Sequence, residues 1–223
     1  RDVLGSRGLG DVYKRQNLYW SAVWSTQEFY ETYDPADLRR DNIARFKYVY
    51  DDNQNLVKED LSSEPIYYAY KFRHALTEEG RGPGWANWAN PINFPIIRYA
   101  DVLLMYAEAD VRLNKTVSTS AIDCVNQVRH RAGLADLPAE KTASVNDFLD
   151  ALLEERGHEF YYEGHRRIDL IRFNKYYTIM DAIGCTPTSQ YFPIPNYAVD
   201  QATDMGYTLT QYFTRPDYDG PQR

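Results

Sequence analysis

The stretch FPIIRYADVLLMYAEADVRLN, residues 94–114, constrains this chain most. Pro95 pushes Phe94 out of the helical region. Beyond it no proline or glycine interrupts the pattern, and the spacing predicts a helix. Polar Arg98, Asp101, Glu108 and Arg112 follow at steps of three, seven and four, on one narrow stripe. Most of the rest is apolar, with Ile96, Ala100, Leu103, Ala107 and Val111 at steps of four, three, four and four. A helix apolar round most of its perimeter is expected to be buried on several sides. Ala100, Ala107 and Ala109 leave room for a neighbouring helix to approach. A helical assembly with this helix at its centre is therefore expected.

The residues C-terminal to it fit that expectation. Residues 115–120 form a polar turn, and Ser120 with Asp123 three positions on has the form of a capping box. The next helix places Ala121, Val125, Val128 and Ala132 on one stripe, and Gly133 supplies the stop. From Arg98 to Gly133 the chain has the length of one tetratricopeptide-type hairpin. Ser144 with Asp147 caps a further helix. Its expected buried face is Val145, Phe148, Leu149, Leu152, Leu153 and Phe160, and its expected end is Gly164. A shorter helix, 165–174, is expected to bury Ile168 and Ile171. From Lys175 the chain is rich in Tyr, Thr and Pro and is expected to be irregular, with Phe192-Pro-Ile-Pro195 extended.

Ahead of the central helix the periodicity is that of strands. Residues 17–26, 43–50 and 66–73 alternate. Trp20 and Trp24 share a face with Leu18 and Ala22, which points to a core position. Phe46, Tyr48 and Tyr50 share another face, and Ile66, Tyr68, Tyr70 and Phe72 a third. The intervening 30–40 and 51–65 read as polar turn and loop. Residues 77–91 form a loop rich in Gly, Asn and Pro. Residues 1–16 show no period, and their end, Asp11-Val-Tyr-Lys-Arg-Gln16, resembles the translation of a transposon adapter used in sequencing libraries. Residues 1–16 are therefore expected to be a disordered, non-native segment, and 17–223 to be the part of the chain that belongs to a domain.

Composition excludes more than it selects. The net charge of −7 argues against a nucleic-acid partner. No apolar run reaches the length of a membrane span. Two cysteines, Cys124 and Cys185, offer no CxxC or Cys/His spacing, so no zinc site or other cofactor is expected. One disulfide between them is possible, but Cys124 on its helix reads better as a small buried side chain. The load of 20 Tyr, 4 Trp and 9 Phe suits wet binding surfaces as well as core.

Four stretches together resemble the SusD/RagB family: PIIRYADVLLMYAEA (95–109), VNQVRHRAG (125–133), ERGHEFYYEGHRRIDL (155–170) and FPIP (192–195). DPADLRR (34–40) also fits. The resemblance runs from about Asn17 to Arg215 and matches the C-terminal part of such proteins. It implies a mainly α fold of tetratricopeptide-like helical hairpins, with short strands and long irregular loops. It further implies a non-enzymatic lipoprotein on the outer face of the Bacteroidetes outer membrane. Such a protein is anchored by an N-terminal lipid that this chain lacks. It binds oligosaccharides or other nutrients beside a SusC-like TonB-dependent transporter. The alternative reading is a tetratricopeptide-like protein–protein interaction module.

Two sets of residues are candidates for chemistry. Glu154, Glu155, Glu159 and Glu163 lie near His158 and His165, but His158-Glu159 is not followed by a histidine at 162, so the HExxH spacing fails. With Arg156, Arg166, Arg167 and Arg172 close by, a structural ion-pair network explains them better than an acid/base site. In the resemblance Arg98, Tyr99, Asp101, Glu108, Arg129, Glu155, Glu159, Glu163, Arg167 and Asp169 carry the structural motif. The second set is GPGWANWANP (82–91). Trp85 and Trp88 offer flat rings for the C–H face of a pyranose, and Asn87 and Asn90 offer amides for its hydroxyls. These four are the candidate ligand-binding residues. The competing reading is that a tryptophan anchors the loop, or that the loop meets the transporter.

Overall fold

The computed structural model describes residues 25–50, 53, 56–71, 94–187 and 189–209, with backbone alone at 47–50 and 56. These residues are mainly helical. Seven α-helices occur among them: α1 (Gln27–Glu31), α2 (Tyr99–Asn114), α3 (Thr119–Arg131), α4 (Val145–Glu159), α5 (Arg166–Arg172), α6 (Tyr176–Ala182) and α7 (Asn196–Asp204). Four short strands precede α2: β1 (Ile43–Ala44), β2 (Phe46–Tyr50), β3 (Leu56–Asp60) and β4 (Tyr68–Ala69). The chain divides into two units, one ending at Glu163 and the other beginning at Gly164.

In the first unit α2 and α3 form the expected antiparallel hairpin, and α4 packs against both. Its core is Leu104, Ala107, Val111, Ala121, Val125, Val128, Phe148 and Leu152, all essentially inaccessible to solvent. The face α2 buries is Ala100, Asp101, Leu104, Ala107, Glu108 and Val111. Leu103 is only half-buried, and Ile96 is 84% exposed. This corrects the expected face, and it corrects the picture of a helix buried on several sides. The polar stripe misleads because Asp101 and Glu108 point inward, where cations meet them.

The helix ends obey local chemistry. Ser144 caps α4: its Oγ accepts the Asp147 N–H at 3.1 Å. The cap of α3 is Ser118, not Ser120; the Ser118 Oγ accepts the Ala121 N–H at 3.0 Å and is itself held by Asp110. Gly133 ends α3 at φ +81°, with its N–H on the His130 carbonyl and the Leu134 N–H on that of Arg129. The packing there is tight, because a Cβ at Gly133 would lie 3.2 Å from Leu38 Cγ, which would have to give way slightly. Helix α4 ends at Glu159 rather than at Gly164.

Three stretches expected to lack structure have it. The region 30–40 ends in a one-turn 3-10 helix, Leu38–Asn42, and buries Tyr33, Asp37 and Arg39. Tyr33 packs with Ile43 and Tyr67, flanked by Phe29, Tyr30 and Tyr161. The region 51–65 contains β3, which pairs antiparallel with β2 from Phe46↔Asp60 to Tyr50↔Leu56. Strand β4 pairs with β1, Ile43 opposite Ala69, and on either side of it Tyr67 and Tyr70 are the buried rings. Beyond Lys175, α6 and α7 replace the expected irregular chain. In the second unit α5 buries Asp169 and Leu170, while Ile168 is 61% exposed. Both cysteines are free, Cys124 half-buried and Cys185 exposed. Residues 17–24, with Trp20 and Trp24, lie outside the described residues, as do 1–16, 77–91 and 212–223.

The corrected face predicts that Leu104→Ala destabilises by about 2–5 kcal/mol, because it opens a cavity in packed core. Leu103→Ala should cost clearly less in the same urea melts. Gly133→Ala should cost about 1–2 kcal/mol from the left-handed backbone alone. Equal losses at 103 and 104 would mean that the other side of α2 faces the core.

Candidate functional site

Three glutamates at steps of four line one face at the end of α4: Glu155, Glu159 and, just past the helix, Glu163. All three are buried. A buried carboxylate is costly unless cations and hydrogen bonds satisfy it. Here the cations come from four separate stretches. Arg39, 6% exposed, is the hub: Nη1 donates to Glu155 Oε1 at 2.6 Å and to Glu159 Oε2 at 3.2 Å. Its Nε and Nη2 grip Asp37 at 2.9 and 2.7 Å. Arg129 reaches Glu155 at 3.2 Å, and Arg131 reaches Glu159 at 2.5 Å. Arg98 sits at the N-cap of α2 but does not cap it. Its guanidinium donates to Glu159 Oε1 at 2.8 Å and to both oxygens of Glu163 at 2.8 and 2.7 Å. Lys71 donates to the Glu159 carbonyl at 2.6 Å and also pairs with Glu163.

Two further pairs stiffen the helices. Arg156 donates to Asp101 at 2.9 Å, both buried, and joins α4 to α2. Glu108 takes a bond from Arg112 at 2.8 Å within α2. Of the motif residues named from the sequence, the structure brings Arg98, Arg129, Glu155, Glu159 and Glu163 into one network. Tyr99 is exposed. In the second unit Asp169 pairs with Arg172 at 2.9 Å, and Arg167 stacks over Phe192 at 4.2 Å while donating to the Gln190 carbonyl. Sequence reasoning does not name Asp37, Arg39, Lys71 and Arg131 as partners. DPADLRR (34–40) is the available signal for the first two.

The electrostatics are those of a neutralised cluster. Burial raises the Glu163 carboxyl, but hydrogen bonds from Arg98 and Lys71 outweigh it and leave it below the usual range. Burial also raises Asp37, and the Arg39 bonds again win, holding it low. Glu155 goes the other way, since burial exceeds the help it gets from Arg39 and Arg129. Its two oxygens are nonetheless each occupied by a guanidinium. The carboxylates are therefore engaged by cations rather than poised across a cleft for proton transfer. His158 is also engaged: its Nε2 lies 2.9 Å from Thr32 Oγ1, and its ring lies 4.1 Å from that of Tyr33. Among the described residues no group of three or more His, Cys, Asp or Glu is arranged to hold a metal ion.

Lys71 and Arg98 stand on either side of segment 72–93, and both hold Glu163. The four candidate ligand residues, Trp85, Asn87, Trp88 and Asn90, belong to that segment and lie outside the described residues.

A family model described as the SusD family matches residues 13–214. The chain belongs to the SusD family. A SusD-like protein of Formosa agariphila is 35% identical over 112 residues, which are 46% of this chain and 21% of that protein. A SusD superfamily protein from Parabacteroides distasonis superposes with a TM-score of 0.63 at 27% identity, over 87% of this chain and 42% of its own. Surface glycan-binding protein A from Bacteroides uniformis does so with a TM-score of 0.55 at 27% identity, over 83% and 39%. The SusD-like chain thus spans less than half the length of these solved relatives, and its mainly α, hairpin-built fold is theirs.

The network predicts two effects on stability. Arg39→Met should cost about 3–5 kcal/mol, since it leaves carboxylates buried without their cation. Glu163 and Asp37 have depressed folded pKa values. Their contribution is present above the ordinary carboxylate value of about 4 and is lost as pH falls through the lower folded value. Wild type should lose stability below about pH 4. Glu163→Gln should be weaker at pH 7 and fall less steeply in acid. Denaturant melts from neutral pH down into acid test this, and identical pH slopes for the two proteins would contradict it.

Proposed function

We propose that the full-length protein to which this chain belongs captures oligosaccharides at the cell surface. In this reading it stands on the outer face of the outer membrane, held by a lipid anchor upstream. It hands its ligand to a SusC-like TonB-dependent transporter and does no chemistry on it. The observation that carries the reading is family membership over residues 13–214, joined to 27% identity with a surface glycan-binding protein. The engagement of Glu155, Glu159 and Glu163 by arginines and a lysine supports binding over hydrolysis. Among the described residues no helix is long and apolar enough to cross a membrane.

For the ligand contact we keep Trp85 and Trp88 as the stacking platform and Asn87 and Asn90 as hydrogen-bonding groups. Each ring would bury apolar sugar surface worth about 1–3 kcal/mol. Ordering and desolvation subtract from that, so one site should bind at roughly micromolar to millimolar strength. Weak sites suit capture, because a long glycan can engage several of them and still be released. Segment 1–16, of which only 13–16 fall within the family match, is proposed to lie outside this domain.

Calorimetry and affinity electrophoresis on the full-length protein test the proposal. Wild type should bind oligosaccharides better than monosaccharides and release no reducing sugar above a heat-killed control. Trp85→Ala with Trp88→Ala should weaken binding at least about tenfold, as the loss of stacking worth about 1.4 kcal/mol or more would. Undiminished binding would move the platform elsewhere. Sugar release abolished by Glu159→Gln would overturn the non-enzymatic reading.

A further inference from the structure

The described arginines of the first unit divide into two groups. Arg39, Arg98, Arg112, Arg129, Arg131 and Arg156 each end on a carboxylate. Among the described residues, Arg40 and Arg45 meet none. Arg40 follows Arg39 in the 3-10 turn, yet its side chain takes another course: its guanidinium carbon lies 4.2 Å from the centre of the Tyr30 ring. Its Nε is buried and meets no hydrogen-bond acceptor among the described residues. Arg45 lies 4.0 Å over the Tyr67 ring and donates to the carbonyls of Ile66 and Ser62 at 2.9 and 2.8 Å. Those acceptors are neutral, so its charge stays unbalanced. The Tyr30 and Tyr67 ring centres are 5.1 Å apart. The four side chains thus form one chain of contacts, with a cation at each end and two rings between.

A buried N–H without an acceptor calls for an explanation. Shortage of partners is not the reason, because Asp and Glu outnumber Lys and Arg by 32 to 25. Nor is the cluster part of the core: Arg40, Arg45 and Tyr30 are half-buried, and only Tyr67 is buried. A guanidinium held against a ring keeps its fork of N–H donors in a set plane, which suits two oxygens of one oxyanion. The acidic excess repels dense polyanions such as nucleic acid. A ligand with single, spaced negative groups fits two cations set apart by a pair of rings.

We infer that Arg40 is an anion-binding residue that sets the class of the captured oligosaccharide: acidic, carrying uronate carboxylates or sulfate esters. The inference rests on the oligosaccharide reading above and adds a charged contact to it. Two oxygens of the ligand's carboxylate or sulfate take the Arg40 fork, and the orphaned Nε gains its acceptor. Tyr30 holds the guanidinium in place. Arg45, tied down by its two carbonyls, adds positive field without touching the ligand.

Calorimetry on the full-length protein tests this with matched probes. One pair is oligogalacturonate and its methyl ester; the other is a sulfated galactan oligosaccharide and its desulfated form. Wild type should bind the charged member of at least one pair about tenfold or more tighter than its neutral partner, and which pair it is tells carboxylate from sulfate. Arg40→Gln should bring the charged member down to the affinity of the neutral one. Arg40→Lys, which keeps the charge but not the fork, should retain only part of the preference. Binding of uncharged glycans alone, or equal binding within both pairs, would overturn the inference and leave the capture reading standing. Binding to no glycan at all would remove both. A preference that survives Arg40→Gln would place the anion contact elsewhere and overturn it too. Urea melts without sugar cover the remaining case: a marked loss of stability in Arg40→Gln, with no charge preference in wild type, would assign Arg40 to a carboxylate of the protein itself and overturn the inference.

Discussion

Everything in the first unit depends on disposing of three negative charges inside a protein. Glu155, Glu159 and Glu163 lie along one face of α4 and its exit, and each ion costs several kcal/mol to desolvate. The cations that offset this come from the turn before β1, the end of β4, the start of α2 and the end of α3. Each brings its own stretch of backbone with it. A slip of α4 by one residue would turn the three carboxylates away from Arg39, Arg98 and Arg129 together. Apolar residues in the same places can pack as stably, but grease tolerates a slip that a buried charge does not. The network therefore sets the register of four stretches of chain, while buried apolar side chains such as Leu104, Phe148 and Leu152 supply hydrophobic stabilisation.

The parts of this fold legible in the sequence are those decided within a few residues. Ser144 with Asp147 and Gly133 mark helix ends because a hydroxyl and a left-handed glycine act locally. The spacing points to Ser120 rather than Ser118 because both offer a hydroxyl within reach of the first turn. Only the Ala121 amide, and the grip of Asp110, pick one. The buried face of α2 is ambiguous for a related reason. A helix that is apolar at every position from Val102 to Ala107 gives no hydrophobic contrast between Leu103 and Leu104. Asp101 and Glu108 look like a solvent stripe until their arginines are in place. Strand β3 is hidden in LVKED, which owes its place to backbone pairing with β2 rather than to alternation. Helices α6 and α7 are hidden by tyrosines and threonines, whose weak helix preference the tertiary context overrides.

The candidate site is legible in a different way. The glutamates read as an ion-pair network from the chain alone, because arginines crowd the same stretch and HExxH fails. Lys71 and Arg39 do not, since they are distant in sequence and carry no spacing rule that links them to α4. Long-range salt bridges of this kind leave only one trace in a single chain, a surplus of paired charge types. The choice of partners is made by the fold.

The position of Glu163 bears on the proposed ligand capture. Lys71 and Arg98 flank segment 72–93 in sequence, and both end on this one carboxylate, so these two residues are held near each other as well as to the exit of α4. Closing a loop costs entropy that grows slowly with its length. A carboxylate that holds both flanking residues meets the cost of bringing those two residues together when the protein folds. For a site expected to bind weakly this matters, because ordering costs subtract directly from a small gross affinity. A charge cluster engaged on every side is thus a poor catalyst and a sound foundation. The same bonds that tie up Glu159 and Glu163 hold the two residues that flank the segment proposed to meet the sugar.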